Sequence, residues 1–140
     1  LIWHGLADPL IFPQGTINYY QRVQVMGGVR GTDSFARLFV APGAGHCGSA
    51  AGPAPANPLG DLVNWVQNGR APDTILATTV DHTTNVVTMA RPLCAYPLVA
   101  RTRATAARTI RATSLARGHT DNSSTTRIQR HCPTQRVAFG

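Results

Sequence analysis

Two side chains in this 140-residue chain stand where acid–base chemistry needs them, Asp8 and His46. Each follows an apolar run that reads as a buried strand: Leu1 to His4 ahead of Gly5, and Phe35 to Val40 (FARLFV) ahead of the small-residue turn Ala41-Pro42-Gly43-Ala44-Gly45. An imidazole near neutral pH can take a proton from a nucleophile and return it to a leaving group, while a carboxylate fixes its tautomer and stabilises the imidazolium. The plainer readings are that an Asp before Pro9 forms a turn and that a His after Gly-Ala-Gly is an exposed loop residue. What favours the chemical reading is that both residues sit directly after strands.

The elements that must position the pair follow from punctuation. Pro13 and Gly15 precede Thr16, a plausible helix cap, and Tyr19, Tyr20, Val23 and Met26 share one helical face before Gly27-Gly28 ends it. After a Gly-, Ala- and Pro-rich stretch, Asn57 caps a second helix whose Leu59, Leu62, Val63 and Val66 form a stripe, with Gly69 past its end. Residues 74–80 and 86–90 read as a further strand pair. Strand, helix, strand, helix is the order of an α/β domain with a parallel sheet, whose ligands meet the loops beyond the carboxyl ends of the strands. One strand–helix unit separates Asp8 from His46, so the sequence predicts that their loops leave the same sheet edge from neighbouring strands.

The order Asp then His is that of the last two members of an α/β-hydrolase triad, in which Ser comes first. No G-x-S-x-G is present; Ser49 lacks the strand–turn–helix setting of a nucleophile elbow, and Ser34 precedes a strand rather than following one. His4 reads as a strand-end residue that helps position the acid loop, and His82 as a turn residue between strands. His119 and His131 beside Cys132 do not make a zinc-ligand spacing, so no metal or other cofactor is expected.

Lys and Glu are absent, and the net charge of +7 is unevenly placed. Residues 1–100 balance five Arg against five Asp, whereas the last forty carry eight Arg against Asp121 alone. From 102 onward the texture is Arg, Thr, Ala and Ser, with Ile110, Leu115, Ile128, Val137 and Phe139 too scattered for a helical stripe or a strand face. We therefore divide the chain into a folded portion, 1–101, and a basic tail, 102–140, expected to be disordered. A small basic protein that binds nucleic acid or an anionic surface through that tail is the alternative function. No apolar run is long enough to span a membrane, and no signal peptide is visible.

The blocks HGLADPLIFPQGTINYYQRV, FARLFVAPGAGHCG, GPAPANPLGDLVNWVQNGRAPDTILA and ARPLCAYPLVAR together resemble the C-terminal third of the tannase and feruloyl esterase family. The resemblance covers about residues 3–101 and implies a partial α/β-hydrolase fold: the last strands and helices of the sheet. It implies hydrolysis of small aromatic (gallate- or hydroxycinnamate-type) carboxylic esters through an acyl-enzyme on serine, with Asp8 as triad acid and His46 as triad base. Cys47 then matches a cysteine that the family ties to one preceding the serine, and Cys94 matches one paired with a closing Phe-x-Cys. Disulfides of this kind imply a secreted, extracellular or periplasmic setting. The serine, the oxyanion loop, the lid and the lid's calcium site all precede the matching segment in the family, so the chain alone is expected to be an inactive fragment. An unpaired sheet edge and exposed apolar face would make it poorly soluble or molten. Cys47 is expected to be a free thiol here, Cys94 to have lost its partner, and Cys132 to be accidental, with a Cys94–Cys132 bridge as the open alternative.

After Ala100 the family's Tyr, Gly/Asp turn and Phe-x-Cys are missing. Reading the codons of residues 102–116 one base earlier allows YSGDGGPNDPGNFxC, which restores all three. We expect a frame slip near codon 101; the nucleotide sequence checks it, and an uninterrupted frame without that latent peptide would overturn it.

Overall fold

In the computed structural model, residues 1–100 and Cys132 are described. The order is β1 (Ile2–Gly5), α1 (Pro13–Gly27), α2 (Val29–Phe35), β2 (Leu38–Ala41), a 3-10 turn at His46–Gly48, β3 (Ala54–Pro55), α3 (Pro58–Asn68), β4 (Thr74–Asp81) and β5 (Val86–Cys94). Apart from Cys132, the basic tail, its expected disorder, its nucleic-acid role, His119, His131 and the frame slip fall on residues outside the described ones.

The apolar run FARLFV gives a strand that is buried on both faces, as a strand of a parallel sheet must be. β2 pairs in parallel with β1 and places Phe39 and Ala41 on one face, Leu38 and Val40 on the other. Phe39, Ala41 and Ala44 pack with Ile75, Ala77, Leu93 and Ala95 from the β4–β5 hairpin and its end, and Leu1 and Trp3 lean on them. Leu38 and Val40 pack with Tyr20 of α1. β2 is thus the layer between hairpin and helix, and an isolated bridge between Phe39 and Ala95 joins it to the hairpin side. β3, β4 and β5 form a separate antiparallel sheet.

Several elements depart from the sequence reading. The second strand begins at Leu38 rather than Phe35, because Phe35 closes α2, where Ala36 N–H donates to Thr32 O at 2.8 Å. α2 has no apolar stripe to announce it and is held by fully buried Thr32, whose hydroxyl donates to Val23 O at 3.2 Å. α1 starts with Pro13 at its first position instead of being capped by Thr16. On α1 the expected face is only partly buried: Tyr20 is enclosed, its hydroxyl donating to Asp33 Oδ1 and Ala36 O, while Tyr19 and Met26 are exposed. Burial and Asp33 together push the Tyr20 phenol well above its ordinary range. α3 lies where expected, with Asn57 Oδ1 accepting from Gly60 N–H at 3.0 Å and Gly69 in the left-handed conformation beyond its end, yet its buried residue is Trp65 and not the predicted stripe.

Cys94 is not left without a partner. It lies buried at the end of β5 and forms a disulfide with Cys132, across a sequence separation of 38 residues. Thr74 Oγ1, opposite Cys94 in the ladder, lies 3.1 Å from Cys132 Sγ. Cys132 is therefore structural, not accidental; pairing of this kind cannot be read from spacing.

Because β2 serves two packing layers, Phe39→Ala should lower unfolding free energy by about 3–5 kcal/mol, while Met26→Ala on the exposed side of α1 should change it by no more than about 0.5 kcal/mol. Urea midpoints of the two variants check the contrast.

Candidate active site

The pairing register sets the site. Ile2, Trp3, His4 and Gly5 face Leu38, Phe39, Val40 and Ala41, so both strands end in phase and their loops leave the sheet side by side. The loops then bond to each other: Leu6 N–H donates to Ala41 O and Ala7 N–H to Ala44 O, both at 2.9 Å. This close approach requires a glycine at position 5, since a β-carbon there would run into the carbonyl oxygens of Ala44 and Gly45.

Asp8 emerges from this seam with 8% of its surface exposed. Its Oδ1 accepts from Leu10 N–H at 2.8 Å and Ile11 N–H at 3.0 Å, closing an Asx turn. Its Oδ2 lies 2.9 Å from His46 Nδ1 and 3.5 Å from His4 Nε2. Burial alone would raise the Asp8 pKa, but the N–H groups of Ile11, His46 and Leu10 and the charge on His46 outweigh it and hold the carboxyl at about 2. An ionised carboxylate only accepts, so His46 Nδ1 carries the hydrogen of their bond, and in the neutral ring the lone pair is on Nε2.

His46 is delivered by the tight turn that the small-residue Ala41–Gly45 stretch leads into. Ser49 N–H donates to His46 O at 3.0 Å, and Cys47 sits in the left-handed region at φ 51° and ψ 29°, a conformation costly for a residue with a side chain. The His46 side chain is 37% exposed, so its outer nitrogen is reachable. The geometry can therefore draw a proton through Nε2 while Asp8 holds the far side of the ring.

Of the residues singled out by sequence, Asp8 and His46 meet. Cys47 is an exposed free thiol beside them, and Cys94 lies apart in its disulfide. His4 Nε2 meets the acid loop at Ile11 O, 2.9 Å away. Sequence reasoning did not find Gly5 as the point of closest approach, or Thr16 as the partner of His4 Nδ1 at 2.8 Å. Ser34 is occupied, its hydroxyl donating to Gly31 O at 2.6 Å. Among the described residues no group of three or more His, Cys, Asp or Glu is gathered to hold a metal ion, and no helix is long and apolar enough to cross a membrane. An apolar cleft of about 550 Å³ touches the acid loop through Leu6 and the base loop through Pro42, but neither Asp8 nor His46 lines it.

A family model described as tannase and feruloyl esterase matches residues 1–115. A probable feruloyl esterase of Arthroderma benhamiae is 50% identical over 104 residues, which are 72% of this chain and 19% of that protein. A mono(2-hydroxyethyl) terephthalate hydrolase of Piscinibacter sakaiensis is 37% identical over 102 residues, 72% of this chain and 17% of its own. Among solved structures, feruloyl esterase B from Aspergillus oryzae superposes with a TM-score of 0.61 at 30% identity, covering 72% of this chain and 23% of that one. The chain thus spans about a fifth of the length of the curated relatives it matches.

The depressed Asp8 pKa makes a pH prediction. The ionised carboxylate is favoured by the folded state, so its contribution is present above the ordinary value of 3.8 and is lost as pH falls toward about 2. Asp81, held below its ordinary value by the N–H groups of Thr84 and Thr83, acts in the same direction. Denaturation midpoints across this range should fall in the wild type and fall less steeply in Asp8→Asn; equal slopes would contradict the assignment.

Proposed function

The chain belongs to the tannase and feruloyl esterase family, and from that premise we propose that Asp8 and His46 are the acid and base of a serine carboxylic-ester hydrolase acting on small aromatic esters. The observation that carries this reading is the 2.9 Å bond from His46 Nδ1 to a buried Asp8 carboxylate, with the opposite ring nitrogen reachable. The relatives' names support the substrate class: feruloyl and terephthalate esters share a carbonyl conjugated to an aromatic system.

In the proposed reaction His46 Nε2 takes the proton of a serine hydroxyl as its oxygen attacks the ester carbonyl carbon. The same proton then goes to the departing alkoxide, so that alcohol leaves and the acyl group stays on serine. Water repeats the sequence and releases the carboxylic acid. Asp8 remains ionised throughout and stabilises the imidazolium. The serine, together with the donors that hold the oxyanion, belongs in this reading to a portion of the fold outside these residues, so the chain on its own does not turn over esters. Cys47, exposed beside the base, is available to bond to a cysteine near that serine. The Cys94–Cys132 bridge supports an oxidising compartment.

A chimera tests the proposal: residues 1–100 replacing the matching segment of the Arthroderma relative. We expect hydrolysis of methyl ferulate by the chimera and none by the isolated chain, with His46→Ala lowering kcat by about 10⁶-fold at little change in KM. A folded chimera whose activity survives His46→Ala would overturn it.

A further inference from the structure

One more titratable side chain touches the acid. His4 lies at the end of β1, only 11% of its side chain exposed. Its Nε2 lies 2.9 Å from Ile11 O and 3.5 Å from Asp8 Oδ2, and its Nδ1 lies 2.8 Å from Thr16 Oγ1. A carbonyl oxygen and an ionised carboxylate oxygen are acceptors only, so Nε2 must carry the hydrogen. In the neutral ring the Thr16 hydroxyl then donates to Nδ1, which anchors the imidazole to α1. The principal bond of Nε2–H goes to Ile11 O, and the longer approach to Asp8 is an electrostatic contact.

The same Oδ2 that His4 approaches accepts from His46. Oδ1 meanwhile is held by Leu10 and Ile11, and Ile11 is the residue whose carbonyl His4 holds. His4 therefore grips the acid from both sides: directly at Oδ2, and through Ile11, whose N–H fixes Oδ1. We propose that His4 is a positioning residue for the acid–base pair, its Nε2–H keeping the Asp8 carboxylate from turning so that Oδ2 stays on His46 Nδ1. This rests on the reading of Asp8 and His46 as a functional pair.

The test uses the whole 140-residue chain with ¹⁵N-labelled histidine at neutral pH. The His4 nitrogen shifts should show hydrogen on Nε2 and a bare Nδ1. The exchange rate of the His46 Nδ1 hydrogen with solvent reads the positioning. In His4→Gln the side-chain amide can stand in for Nε2–H, and exchange should stay within about twofold of wild type; in His4→Asn the amide stops short, and exchange should quicken by about tenfold or more. Backbone amide exchange in β2 and α3 should remain unchanged in both, which a general loosening of the fold would not allow. Hydrogen on Nδ1 of His4, or His46 exchange that is alike in the two variants, would overturn the proposal. Should His4→Asn fail to fold, the His4 tautomer and the His4→Gln rate decide: the wrong tautomer, or tenfold faster exchange with Gln, overturns it. Asp8→Asn separates the premise. Because Leu10 and Ile11 need an acceptor at Oδ1, the new NH₂ group must face His46, and unchanged His46 exchange in that variant would sink the pair itself whatever His4 does.

Discussion

The in-phase parallel pairing of β1 and β2 is the constraint on which the rest depends. Parallel strands that end at the same level send their loops off one edge, and only then can a carboxylate on one loop meet an imidazole on the other. The seam between the loops tightens this. Two backbone hydrogen bonds and the close approach at Gly5 bring the acid loop against the carbonyls of Ala44 and Gly45, which immediately precede His46. A one-residue slip of β1 would reverse the faces of its side chains, taking Trp3 off the Phe39 layer and moving Asp8 away from His46 together. Packing and site geometry are therefore specified by the same register.

Within that frame Asp8 acts as a hub. A buried carboxylate is costly unless its oxygens are satisfied, and here each oxygen has its own partners: backbone N–H groups shape the loop through Oδ1, and imidazoles meet Oδ2. The loop-forming bonds and the base-orienting bond draw on one ionised group. The pKa near 2 follows from that concentration of donors, and it keeps the acceptor charged throughout the range in which a histidine can exchange protons.

How much of this was legible in the sequence depended on how local the signal was. Asn57, Pro58 and Gly69 are helix punctuation that acts through backbone geometry, and α3 lies where they place it. The loops of Asp8 and His46 were legible because apolar runs ending in Gly mark strand ends. α2 was not, because VRGTDSF has no apolar period and is held by a single buried threonine and by Gly28. Thr16 reads as a cap by composition, but Pro13 starts the helix and the Thr16 hydroxyl goes to His4, twelve residues away in sequence. The Cys94–Cys132 pairing depends on which chain segment reaches the end of β5, and no local pattern encodes that. The failures are thus at α2, whose short polar sequence carries no period, and at tertiary choices that no local pattern encodes.

The site also divides the chemistry in a way that its backbone explains. Asp8, His46, His4 and Thr16 all lie on two neighbouring strands, the loops beyond them and the first turns of α1. Their mutual orientation is held by β1, β2 and the seam. A nucleophile is a different matter: it must meet His46 Nε2 from the exposed side of the ring, and the strand order places β1 with β2 as its only strand neighbour among the described residues. Leu10 and Ile11, whose N–H groups bond Asp8, and Phe12 after them are exposed. In the proposed enzyme the acid and base are thus preorganised locally, while the reacting serine depends on long-range assembly. Reorganisation of the imidazole during proton transfer is limited by bonds already present in this chain, so in the proposed reaction the serine hydroxyl has only to reach a nitrogen whose direction is already set.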